Sequence, residues 1–146
     1  MIIDDAFDVD APVERVWPVL KDVPRVAACI PNAEIIEVVD ANTYKAKVAV
    51  KVGPVSVSYG ATIAVESFDD ATHTASLRVQ GNETRGRGGV RASVVSRATE
   101  RDGKTHVDLH TDAQISGIVA TVGGRLIEGV AKKTLAEFAA NLAKLV

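Results

Sequence analysis

The chain has 146 residues, 47% apolar and 25% charged, with 17 basic against 19 acidic side chains, which is the length of one domain able to bury about two-thirds of its unfolded surface. A net charge of −2 excludes the basic excess behind non-specific nucleic-acid binding, and one cysteine, Cys29, excludes a disulfide framework or a cysteine-based zinc cluster. No uncharged stretch reaches the roughly 20 residues of a spanning helix and the start is acidic rather than signal-like, so the expectation for residues 1–146 is a single soluble, cytoplasmic domain.

The first element is a short strand in which Phe7 and Val9 alternate with Asp8 and Asp10. A helix follows from Pro12, since proline suits a first helical position whose N–H would be unpaired anyway, and Val13, Val16, Trp17 and Leu20 recur at helical spacing. A second short helix is predicted over Pro24–Cys29, stopped by Pro31-Asn32.

From about Glu34 the period switches to two. Even positions are apolar in Tyr44–Val52, odd ones in Val55–Val65, and the alternation returns around Leu77, Val94, Leu109 and Ile115. Such alternation predicts antiparallel strands with one wet and one covered face. Their turns fall at Ala41-Asn42, Gly53-Pro54, Asp69-Asp70, the Gly81–Gly89 segment and Asp102-Gly103. Beyond Gly117 the period becomes helical: Val119, Val122, Leu126, Val130, Phe138 and Leu142 lie on one stripe, predicting a helix over 118–145, roughly 40 Å long at about 1.5 Å per residue.

The predicted class is α+β: about seven antiparallel strands, two short helices after the first, and a long C-terminal helix that alone is large enough to cover the apolar face. If the sheet curves strongly around that helix, a hollow can remain between them.

This order, with Phe7–Trp17, Cys29-Ile30-Pro31-Asn32-Ala33, Val50-Lys51-Val52-Gly53-Pro54, Gly117, Gly123, Arg125-Leu126-Ile127 and Phe138, resembles the helix-grip fold of the START/Bet v 1-like (SRPBCC) superfamily, and within it the CoxG family of carbon monoxide dehydrogenase proteins. The resemblance implies a non-catalytic accessory protein of a carbon monoxide dehydrogenase-type molybdenum hydroxylase. It also implies a lipophilic quinone in the grip cavity, no further cofactor, and at most peripheral contact with the inner face of the membrane.

The residues offer few groups for catalysis. His106 and His110 lie roughly 13 Å apart on one strand face, too far to share a metal with ligand bonds near 2.0–2.2 Å, and they belong to the outward parity with Asp108 and Asp112. His73 falls in a turn without an evident partner. Cys29 has no base near it in sequence and reads as a small buried hydrophobe. The Gly81–Gly89 segment joins two strands instead of opening a helix, which argues against nucleotide binding. It reads either as a mobile hairpin or as a docking site in which Arg85 and Arg87 meet an acidic partner. Gly123, Gly124 and Gly129 interrupt the long helix at about 1 kcal/mol each, leaving room for a ligand or for tight packing.

The inward parity is more telling. It is apolar at Val48, Val50, Val52, Val55, Val57, Ile63, Leu77, Val79, Val94, Leu109 and Ile115, with polar tips at Tyr44, Tyr59, Ser96 and Thr111 and no histidine or carboxylate pair. Acid–base catalysis needs titratable groups aimed at the substrate, so this face favours binding a greasy ligand that carries one or two oxygens. The expected polar contacts are Tyr44, Tyr59, Ser96 and Thr111. The expected walls are Trp17, Val48, Val57, Ile63, Leu77, Val94, Leu109, Val119, Val122, Gly123, Leu126 and Val130. A small cyclase or hydrolase using the same hollow, and a ligand-free adaptor with a filled interior, are the alternatives.

Overall fold

The computed structural model describes residues 1–146. Seven strands form one antiparallel sheet: β1 (Ile2–Val9), β2 (Ala33–Asp40), β3 (Thr43–Val52), β4 (Val55–Asp69), β5 (Thr74–Glu83), β6 (Gly89–Arg101) and β7 (Lys104–Ile115). Their spatial order is β1-β7-β6-β5-β4-β3-β2, so every consecutive pair from β2 to β7 is a hairpin. Two short helices, α1 (Val13–Leu20) and α2 (Val23–Ala28), link β1 to β2, and α3 (Gly124–Ala143) crosses the inner face of the sheet. This is the predicted helix-grip arrangement.

The C-terminal element departs from expectation. A 3₁₀ turn over Val119–Val122 precedes α3, and Gly123 between them has φ 92° and ψ 156°, a conformation that a side chain strongly disfavours. The helix phase resets there. α3 spans 20 residues, about 30 Å, and the stripe expected from Val119 through Leu126 does not run continuously.

The Gly81–Gly89 segment is also mostly strand, since β5 extends to Glu83 and β6 begins at Gly89. The short turn between them lies against the β7–α3 connection. Gly88 and Gly117 meet there so closely that a Cβ on either would come within 2.6 Å of the other's Cα. The N–H of Ile118 donates to the Arg87 carbonyl at 2.8 Å, stapling the turn to the start of the connection.

The interior is split in two. One cluster gathers Phe7, Val9, Val16, Trp17, Phe138 and Leu142 where α1 and the end of α3 meet β1 and β7. A smaller one joins Val52, Val57, Tyr59 and Val119 near the β3–β4 turn.

Candidate functional site

A cavity of about 520 Å³ lies between the sheet and α3, reaching both clusters. Its sheet wall includes Val50, Val52, Ile63, Leu77, Val79 and Val94. Its helix wall is Ile127, Val130, Ala131, Thr134, Leu135 and Phe138, the i, i+3, i+4, i+7 face of α3. Leu20 of α1 and Val23, Val26, Ala27 and Ile30 in and just after α2 close one side. The only polar atoms on the lining side chains are the hydroxyls of Tyr59, Ser96 and Thr134. None of the three makes a hydrogen bond within the protein.

Eight of the expected residues line the cavity together: Tyr59, Ile63, Leu77, Val94, Ser96, Leu109, Val119 and Val130. The other eight lie elsewhere. The Trp17 indole N–H donates to Asp70 Oδ1 at 2.8 Å, and its ring packs edge-on against Phe68, outside the lining. Lys21 donates to the same oxygen at 2.9 Å, and these two bonds, that from Lys21 foremost, hold the Asp70 carboxyl below its usual range. The Tyr44 hydroxyl turns to the Ala41 carbonyl at the β2–β3 turn. Val57 is buried in the smaller cluster, and Val122 packs on it. Val48 and Thr111 keep the inward parity but fall outside the lining, β3 contributing Val50 and Val52 instead. Gly123 is the hinge, and the phase reset leaves Leu126 46% exposed over the β3–β4 turn, close to Gly53.

Several contributors lie outside the set expected from sequence. Thr134 lies four residues from both Val130 and Phe138, a spacing that places it on the apolar stripe. The α2 residues carry no such signal, because only the docking of that helix turns them inward.

Glu83 falls within the predicted loop, yet it ends β5 on the inward parity, directly paired with Tyr59. Its side chain is 1% exposed. The Arg87 Nε–H donates to Glu83 Oε1 at 2.9 Å, and the backbone N–H groups of Arg85 and Arg87 donate to the same oxygen at 3.1 Å. The Arg87 bond foremost, with these amides, pulls the Glu83 carboxyl from 4.5 to about 2. Arg87 also donates to the Ser56 carbonyl, so its guanidinium is committed inside the chain and unavailable for the docking expected of it. Arg85 is exposed and without an ionic partner, beside Lys51 on a polar concavity separate from the cavity.

The histidines lie apart from the cavity. His106 bonds Asp8 and Asp108, and His110 bonds Asp4, all on the outer face of β1 and β7. His73 does have a partner: its ring lies 5.6 Å from that of Trp17. Cys29 is buried, which pushes its thiol pKa up and makes it a poorer nucleophile.

Known proteins share this sequence pattern and this geometry. The family model for CoxG, a carbon monoxide dehydrogenase protein, matches residues 6–146. The chain belongs to the CoxG family. No curated protein sequence matches it. Among solved structures, a conserved protein from Geobacillus kaustophilus is similar at 27% identity and TM-score 0.87, over 99% of this chain and 93% of that one. A START superfamily protein from Mycobacterium smegmatis superposes with TM-score 0.63 at 15% identity, covering 98% and 94% of the two chains. The ZhuI aromatase/cyclase from Streptomyces sp. R1128 does so with TM-score 0.66 at 18% identity, over 99% and 92%. The last two share the fold with this CoxG family member, whose fold and family both point to a hydrophobic ligand pocket.

Proposed function

We propose that this protein binds a lipophilic, quinone-like molecule in the cavity between sheet and α3. In this reading it serves a carbon monoxide dehydrogenase-type molybdenum hydroxylase as a non-catalytic accessory. One observation carries the reading: a cavity of about 520 Å³ walled by aliphatic and phenyl groups, in which three hydroxyls lack partners. That volume lies within the roughly 300–1,000 Å³ of small-molecule sites. An empty hollow forfeits dispersion contacts along every wall, and a ligand of matching shape restores them. Oxygens on such a ligand would satisfy the free hydroxyls.

Binding is favoured over catalysis by the chemistry of the wall. Tyr59 is the one lining side chain that can ionise, and burial, then the Glu83 carboxylate, push its pKa up, so it stays a neutral donor near pH 7. No group there is poised to exchange a proton with a substrate near neutrality. Arg85 remains the residue proposed to meet an acidic surface of the partner enzyme.

Organic extraction of purified protein, read by mass spectrometry, tests this. The expected result is a stoichiometric isoprenoid quinone, or a thermal shift when a menaquinone or ubiquinone analogue is added. Recovery of no small molecule together with no shift would contradict it.

A further inference from the structure

The cavity is not uniform from end to end. At one end Phe138 packs edge-on against Phe7 with ring centroids 5.7 Å apart, and both rings border the hollow. Thr134 lies one helical turn before Phe138 on the same face of α3. On the sheet, Phe7 pairs with Val107 and Val107 with Ala98, and Ser96 is the next inward residue along β6. Ser96 and Thr134 therefore occupy the sheet wall and the helix wall of the aromatic end. The opposite end carries Val50, Val52, Val90 and Val119, with the Tyr59 hydroxyl as its one polar group. Ser96 pairs with Ala75 and Tyr59 with Glu83, and these partners stand eight residues apart on β5, ~26 Å of strand at about 3.3 Å per residue.

Resting on the quinone-like reading above, we propose a lengthwise ligand with a fixed direction. A planar, carbonyl-bearing head is held by Ser96 and Thr134 beside the Phe7–Phe138 pair, and an aliphatic chain runs over the valines toward Tyr59. A carbonyl oxygen has two lone pairs, which two hydroxyl donors from opposing walls can satisfy, while one phenol satisfies a single one. A flat ring gains offset or edge contacts with phenyl groups that an aliphatic chain does not. Branched aliphatic walls supply area without direction, which suits a chain. Tyr59 then meets the far end of the chain and limits its length.

Calorimetric titration of the full chain with 2,3-dimethyl-1,4-naphthoquinone and with 2,3-dimethylnaphthalene, the same frame without oxygens, tests the direction. Ser96→Ala and Thr134→Val each remove one hydroxyl with little change of shape. Each is expected to weaken the quinone about fivefold, the effect of one hydrogen bond, and to leave the hydrocarbon unchanged. An equal loss for both compounds would mean a structural effect and overturn the proposal. So would a loss of quinone affinity confined to Tyr59→Phe, which would seat the head at the opposite end. Failure of either compound to bind the unsubstituted protein would overturn the ligand-binding reading itself.

Discussion

Tyr59 and Glu83 sit directly opposite each other on β4 and β5, both on the inner side of the sheet, yet only Tyr59 lines the cavity. Glu83 is diverted into the turn that follows it, where Arg87 and two backbone amides absorb its charge. A carboxylate is thus kept beside a greasy hollow without entering it.

The pH dependence of stability reports on this pair. Glu83 titrates at about 2 in the folded chain against an ordinary 4.5, so the folded state favours its ionised form. That contribution is complete above about pH 4.5 and is lost as pH falls toward 2. Denaturant unfolding across this window should show Glu83→Gln less stable than the parent at neutral pH and less sensitive to acid. Parallel pH profiles for the two proteins would contradict the assignment.

The contact of Gly88 with Gly117 leaves no space for a side chain at either position, and both have positive φ. Gly117→Ala should cost roughly 2–4 kcal/mol, combining backbone strain with a forced separation of the turn from the connection to α3. A calorimetric Tm lowered by roughly 5–15 °C is the expected result for a domain of this size.

Trp17 separates stability from binding. Trp17→Phe removes the hydrogen bond to Asp70 and should cost about 1 kcal/mol, because the indole carries the turn between β4 and β5. Ligand affinity should be unchanged, as the ring lies outside the cavity lining. A parallel fall in affinity, measured by titration, would place Trp17 in the site after all.

The parity of every inward strand residue can be read from the chain, because alternation along a strand is a local property that tertiary structure does not alter. Seven strands and a covering helix follow from it. Other features escape such reading for different reasons. Leu126 and Val122 belong to the same apolar stripe as Val130 in sequence, but one glycine in an extended, positive-φ conformation rotates the frame between them. Val23, Val26 and Ala27 face the hollow only because α2 docks where it does, and nothing in six residues announces that docking. Glu83 is hidden by a boundary: surrounded by glycines, it reads as loop until the ladder with Tyr59 is seen.

Size substitutions at alanines distinguish empty from filled interior. Ala98 is buried in the larger cluster, and Ala98→Leu should cost about 1–3 kcal/mol through overpacking. Ala131 faces the cavity from α3, and Ala131→Leu should be tolerated, because the added carbons enter unoccupied volume. Equal losses of Tm at both sites would indicate a packed interior.

Titration of a prenylated naphthoquinone into the unsubstituted chain and into Ala131→Phe addresses the hollow most directly. One molecule bound per chain, and none once a phenyl ring occupies the space beneath α3, is the result this structure predicts. Affinity unaltered by that ring would mean that the ligand sits elsewhere.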